Sequence, residues 1–193
     1  MPGATAVGIS FDNGVVLASE KRVSYGNFVV NKNTKKTFPV TDKVGAACAG
    51  MIADMQILVR QVGALAKIRK LETRRNVPPN SIAKMMSVIM FERRFFPLLT
   101  QVIVGGIDNK PQIYTLDPLG SVLPDEYAAV GSGAEMALGV MDGEFRANMS
   151  EQSAKELAVK AIKSSIQRDS ASGDGIDVLS MTQNHQEEES LTL

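Results

Sequence analysis

Short β-rich runs and longer stretches with helical spacing follow one another along the chain, and their order predicts its elements. Thr5 to Ser10 and Val15 to Ser19 read as strands joined by Asp12-Asn13-Gly14, a sequence that supplies the positive φ angles of a tight hairpin. Lys43 to Ala49 is a further buried strand, and Gly50 stands where a helical pattern begins. From about Met51 to Glu72, apolar residues at Ile52, Met55, Leu58, Val59, Val62, Leu65, Ala66 and Ile68 mark one helix face. After Pro78-Pro79, Asn80 is placed to cap a second helix, which carries Ile82, Met85, Met86, Ile89 and Met90 and ends near Phe96-Pro97. Leu98 to Gly106, Gln112 to Leu116 and Ser121 to Val130 are predicted strands, linked by Asp108-Asn109-Lys110 and by the turn sequence Asp117-Pro118-Leu119-Gly120. Gly133 to Ala147 and Ser150 to Arg168 are again helical, the second opening on a serine cap, and Ile176 to Met181 is a last strand. The tail from Gln183 is polar and acidic, with no predicted element.

Strands, two helices, strands, two helices and a closing strand give an α+β chain. Two antiparallel sheets face to face with a helical layer outside each satisfy that order. A four-layer αββα sandwich is one such solution, and periodicity alone leaves the topology open.

Composition narrows the setting. The 193 residues are 44% hydrophobic, which suits one compact domain over residues 1–193. Lysine plus arginine and aspartate plus glutamate both number 21, so no overall field gathers nucleic acid or an anionic membrane. The single cysteine, Cys48, lies in an apolar run; it excludes an internal disulfide and fits a reducing compartment, with the cytoplasm as the simplest address. The start Met1-Pro2-Gly3-Ala4 has no basic segment followed by an apolar one, and no apolar run approaches the roughly 18 residues of a spanning helix. A soluble, unsecreted protein is expected. The methionines at Met85, Met86 and Met90 fall at helical spacing and read as core filler. The only histidine, His185, lies in the polar tail, no His/Cys/Asp cluster has metal-ligand spacing, and no phosphate-binding loop is present.

Several ordered blocks carry more specific information: Ala4-Thr5-Ala6-Val7-Gly8-Ile9, Gly14 to Arg22, Asn31 to Lys36, Ala49-Gly50, Gly131-Ser132-Gly133 and Asp169-Ser170-Ala171-Ser172-Gly173-Asp174-Gly175. In content, order and spacing they resemble archaeal proteasome β subunits over nearly the whole chain. The resemblance implies the αββα fold of N-terminal nucleophile hydrolases. It also implies a place in a four-ring 20S particle with α subunits, other β subunits, polypeptide substrates and a separate ATP-dependent unfoldase, and no cofactor or metal.

Proteasome chemistry uses a threonine hydroxyl at a free chain terminus, whose own amine serves as base. A lysine ammonium lowers that amine's pKa and a carboxylate holds the lysine; the matching positions here are Lys36 and Glu20. Gly50 matches the backbone amide that stabilises the oxyanion. Ser132, Asp169 and Ser172 match the polar support. Val23, Thr34, Cys48, Ile52 and Gln56 match the pocket for the residue before the scissile bond, and imply a mild preference for apolar side chains. Taken alone, Lys36 and Glu20 would be an ordinary surface pair, and Asp169 to Gly175 a helix-ending loop.

The nucleophile itself is absent. Counting back from Val7-Gly8-Ile9, the position that follows the propeptide glycine in active subunits is Ala4, after Gly3. A methyl group neither attacks a carbonyl nor drives self-cleavage, and residues 1–3 are at most a vestigial leader. Three readings follow. The chain is a non-catalytic β subunit that supports an active one; or it is an active endopeptidase whose threonine has been exchanged for alanine; or trimming exposes Thr5 as a nucleophile one residue late. On a strand, adjacent residues face opposite sides, so Thr5 is expected to point away from Lys36.

Overall fold

The computed structural model describes residues 3–192. Two five-stranded antiparallel sheets form its centre. The first has the order β10-β1-β2-β11-β12, from β1 (Thr5–Phe11), β2 (Gly14–Glu20), β10 (Tyr127–Gly131), β11 (Ile176–Thr182) and β12 (Gln186–Leu191). The second has the order β5-β6-β7-β8-β9, from β5 (Thr37–Thr41), β6 (Val44–Gly50), β7 (Thr100–Ile107), β8 (Pro111–Leu116) and β9 (Val122–Asp125). A small ribbon, β3 (Val23–Tyr25) with β4 (Phe28–Asn31), stands apart. Helices α1 (Ile52–Thr73) and α2 (Pro79–Glu92) cover the second sheet; α3 (Ala134–Glu144) and α4 (Glu151–Ile166) cover the first.

Strand alternation sorts the apolar side chains into three layers. On β1, Val7, Ile9 and Phe11 face the α3–α4 layer, while Ala6, and Ala4 just before the strand, face the opposite sheet. Likewise Val16 and Ala18 of β2 pack under the helices, and Val15 and Leu17 lie between the sheets. On β6, Val44, Ala46 and Cys48 meet α1 and α2, and Ala47 and Ala49 the inter-sheet space. The four-layer αββα sandwich expected from the resemblance is the architecture found.

Leu17 fastens the two sheets. A Cβ added to Gly8, Gly45 or Gly105 would come within 3.1, 3.1 and 3.0 Å of Leu17 side-chain carbons, so the leucine fills a hole whose walls are glycines.

Element boundaries differ from the sequence reading where tertiary pairing decides them. The stretch Ser121 to Val130 is not one strand. It divides at Glu126, with β9 paired to β8 and β10 paired to β1, so the chain passes between sheets there. Helix α2 begins at Pro79 with extended Pro78 in the cap position, so Asn80 lies inside the helix and caps nothing; proline's fixed φ favours the first helical turn. The helix also stops at Glu92, and Arg93 to Phe96 are turns. Helix α3 closes at Glu144, short of Ala147. Ser150 does cap α4, its hydroxyl accepting from Ser153 N–H at 3.2 Å.

The acidic tail is the largest difference. Residues 186–191 form β12, an edge strand whose side chains are all exposed. Pairing with β11 supplies the backbone bonds, and lysines from both sides hold the carboxylates. Lys155 of α4 bonds Glu187 at 2.7 Å and Glu189 at 2.6 Å, Lys35 pairs with Glu188, and Lys21 donates to Ser190 at 2.9 Å. No periodic apolar signal marks such a strand. Met1, Pro2 and Leu193 lie outside the described residues, and no described helix is long and apolar enough to cross a membrane.

Two outcomes are expected. Leu17→Ala should lower unfolding free energy by about 3–5 kcal/mol in chemical denaturation, the upper part of the Leu→Ala range, because glycine walls cannot fill the hole. For β12, the carboxylates around Lys155 raise its pKa despite the opposing effect of burial, so its contribution is intact below 10.5 and is lost as pH rises through the higher folded value. Lys155 holds the Glu187 pKa down, and the hydrogen bonds and ion pairs of Glu151 outweigh burial to hold that one down. Their contributions are therefore present above 4.5 and lost as pH falls through the lower folded values. The strand should therefore loosen as salt is added, and Lys155→Met should speed hydrogen exchange of residues 186–191 several-fold.

Candidate active site

At one end of the sandwich the start of β1 meets the ends of β2, β6 and β10. Register places Thr5 opposite Gly131, with Ala4 just beyond. Gly131 has φ +99°, and a Cβ there would lie 2.0 Å from the Ala4 carbonyl oxygen, so only glycine lets the chain pass so close.

The Lys36–Glu20 pair is the electrostatic centre. Its side chains are 1% and 0% exposed, which removes the surface-pair reading. Lys36 Nζ bonds Glu20 Oε1 and donates to the Arg22 carbonyl at 2.5 Å. Glu20 Oε1 also accepts Thr5 N–H at 3.3 Å, and Oε2 accepts Arg22 N–H at 2.7 Å and Gly173 N–H at 3.1 Å. Burial pushes the Glu20 carboxyl up and the Lys36 ammonium down, while each partner and the bonded amides oppose those shifts. The carboxylate thus has donors for both oxygens, a condition for keeping an ion pair out of water.

A second network runs through Asp169, in the loop after α4. Asp169 Oδ2 accepts from Ser132 Oγ at 2.6 Å and from Ser172 Oγ at 2.7 Å. With its proton on Asp169, Ser132 accepts the Ala4 N–H at 3.0 Å. Ser172, its proton also on Asp169, accepts the Thr5 hydroxyl at 2.8 Å. Thr5 Oγ1 therefore gives its proton to another hydroxyl. Thr5 is wholly buried, and its side chain packs toward α3 and α4, where a Cβ on Gly133 would touch it at 2.1 Å. Its hydroxyl thus meets Ser172, while Lys36 Nζ bonds Glu20 and the Arg22 carbonyl.

Ala4 is wholly buried among the inter-sheet residues Ala6, Ala49 and Ile103. Its nitrogen is a peptide nitrogen carrying Gly3, whose own Cβ position would overlap Ala171 at 2.2 Å and Ser132 Oγ at 2.8 Å. An amide has no basic lone pair, so this nitrogen is not a base in the chain as described. Gly50 has φ +135° and a Cβ there would lie 2.2 Å from the Leu99 carbonyl. Cys48 N–H points to Lys36 across β5 at 2.9 Å and Met51 N–H to Leu99 at 2.7 Å. Ladder alternation therefore directs Gly50 N–H to the β5 side, past the start of that strand.

The pocket residues are less uniform. Val23, Thr34, Ile52 and Gln56 are half-buried. Thr34 is fixed by its N–H to Lys21 O at 3.0 Å and its hydroxyl to Asn31 Oδ1 at 3.0 Å. Cys48 lies beneath the surface in the cluster under α1, with Ile52 packed against that cluster, and burial pushes its thiol up.

Arg22 was given no role by sequence reasoning, although it stands in the quoted block beside Glu20. Its Nε bonds Asp174 at 2.7 Å and its Nη1 the Ser170 carbonyl at 3.0 Å, clamping the Asp169–Gly175 loop; the guanidinium holds the Asp174 carboxyl low. Asp174 has φ +67°. Gln101 Oε1 accepts Gly131 N–H at 2.9 Å and is likewise silent in sequence. Away from the site, Glu151, His185 and Glu187 approach within 4.8 Å, but Lys155 already sits among them, 3.5 Å from Glu151 and 2.7 Å from Glu187.

Comparison with known proteins agrees with this geometry. Residues 1–181 match the family described as "Proteasome subunit". Proteasome subunit beta 1 of Nitrosopumilus maritimus is 68% identical over 188 residues, 97% of this chain and 95% of that protein. The beta 1 subunit of Cenarchaeum symbiosum is 67% identical over 184 residues, 95% of each chain. The beta 2 subunit of Pyrobaculum calidifontis is 47% identical over 192 residues, 99% of this chain and 95% of that one. Fold, site and similarity together place the chain in the proteasome subunit family, among its β subunits.

Proposed function

We propose that this β subunit is non-catalytic and that its role is to build the β ring of a 20S core particle beside a catalytic β subunit and against α subunits. The observation that carries the reading is the methyl group of Ala4, wholly buried at the point where Ser132, Asp169 and the Glu20–Lys36 pair converge. No oxygen or sulfur stands there to attack a carbonyl. Thr5 is no substitute, because its hydroxyl proton is committed to Ser172 in the helix-side layer. On this reading Lys36 and Glu20 hold the end of the sandwich together, and Gly50 and the Val23–Gln56 pocket line the chamber. The particle takes polypeptide substrates from an ATP-dependent unfoldase and works in the cytoplasm, where the lone buried thiol of Cys48 stays reduced.

Assembled with an archaeal α subunit alone, the chain should give no turnover of apolar fluorogenic peptides. Clear turnover with a covalent adduct on Thr5 would sink the reading. Ala4→Thr behind a cleavable leader should create activity, and adding Lys36→Ala should then cost about 10²–10⁴-fold in kcat, the usual contribution of positioned proton transfer. In the unaltered chain, Lys36→Met should destabilise by about 3–5 kcal/mol, because it strands a buried carboxylate. Glu20→Gln with Lys36→Met should recover part of that loss; equal losses in the single and double variants would show that the pair is not the cause.

A further inference from the structure

We propose that Glu151, His185 and Glu187 form a binding site for a divalent transition metal of the zinc class, which ties the acidic edge strand β12 to the start of α4. The inference is independent of whether the subunit is catalytic.

The donors come from three segments. Glu151 opens α4, His185 stands in the β11–β12 turn and Glu187 lies in β12, and one ligand atom from each is within 4.8 Å of the other two. Donors bound tetrahedrally to zinc at about 2.0–2.2 Å stand about 3.4 Å from one another. His185 Nε2 and Glu151 Oε1, at 3.2 Å, already have that separation. Glu187 has to close by no more than about 1.4 Å, the difference between 4.8 Å and the tetrahedral spacing. Its side chain is exposed, so a change of rotamer suffices. An imidazole among the ligands favours zinc and its neighbours over magnesium or calcium, which take oxygen donors.

Outer contacts are in place as well. Thr182 Oγ1 lies 2.9 Å from His185 Nδ1 and fixes the ring with Nε2 toward Glu151. Burial pushes the Glu151 carboxyl up, and the nearby Ser180 hydroxyl is the first of the groups that bring it down. That hydroxyl is wholly buried and, among the described residues, has no hydrogen bond of good geometry. It is a spare donor for the carboxylate oxygen that a metal on Glu151 leaves uncoordinated. An open groove of about 720 Å³ runs past Glu151 and His185 and gives entry from solvent.

Charge decides between the metal and Lys155. The lysine contacts Glu151 at 3.5 Å, Glu187 at 2.7 Å and Glu189 at 2.6 Å. Three carboxylates against one ammonium leave an excess of two negative charges, which one divalent cation on a neutral imidazole cancels. Lys155 then keeps Glu189, which it already bonds. No spacing in the sequence announces the site, because Glu151 and His185 are 34 residues apart.

The test is zinc titration of the full chain without an affinity tag, read by calorimetry and by hydrogen exchange. His185 is the only histidine and Cys48 is buried, so no second imidazole or open thiol competes. One equivalent of zinc should bind and slow exchange of residues 186–191 several-fold, and magnesium at the same concentration should do neither. His185→Ala and Glu187→Gln should each weaken zinc binding at least about tenfold. Lys155→Met should tighten it, and zinc should restore the protection of residues 186–191 that this variant loses. Equal zinc binding in His185→Ala, no tightening in Lys155→Met, an equal response to magnesium, or unchanged exchange at residues 186–191 overturns the proposal.

Discussion

An ammonium and a carboxylate held out of water at the end of a sheet sandwich impose the strictest condition in this molecule. Lys36 and Glu20 can be buried only because backbone amides from three segments, at Thr5, Arg22 and Gly173, meet the carboxylate, and the Arg22 carbonyl meets the ammonium. Each of those segments is fixed by something else. Thr5 lies in the ladder with β10, Gly173 is covered by the Arg22 guanidinium, and Lys36 directly precedes β5. The start of β1, the β2–β3 corner and the loop after α4 therefore converge on one charge pair. Desolvation makes the pair costly unless every donor is in place.

The nearness of the two sheets follows a simpler rule. Glycines at Gly8, Gly45 and Gly105 remove side-chain volume where Leu17 enters, and small alanines continue the layer toward Ala4. This close approach is what lets Ala4, on the first sheet, lie against Ala49, at the end of the second. The surroundings of Ala4 are thus built by close packing of small side chains between the sheets.

How much was legible in advance depends on the range of the force involved. The helix faces of α1 and α2, the serine cap at Ser150 and the opening hairpin all rest on neighbours a few residues apart and are found, with two corrections: Leu65 and Ile68 of the α1 face are exposed, and the hairpin closes at Asp12-Asn13-Gly14 without a positive φ. The division of Ser121 to Val130 between two sheets, the start of α2 at a proline and the pairing of the acidic tail depend on partners far away in sequence. Glu187 to Glu189 carry no apolar alternation, and only Lys155 and Lys35, brought near by the fold, make a strand of them.

The sequence by itself determined the family resemblance and, through it, the αββα class, and it placed an alanine at position 4, because each is a matter of residue type, order and counted register. Tertiary structure alone decided that Lys36 and Glu20 are buried rather than exposed, that Arg22 clamps the Asp169–Gly175 loop, and that Thr5 turns its hydroxyl to Ser172. These are consequences of burial and direction, which a linear pattern does not encode: whether a charge is solvated or a hydroxyl proton is committed depends on what the folded chain places within about 3 Å of it.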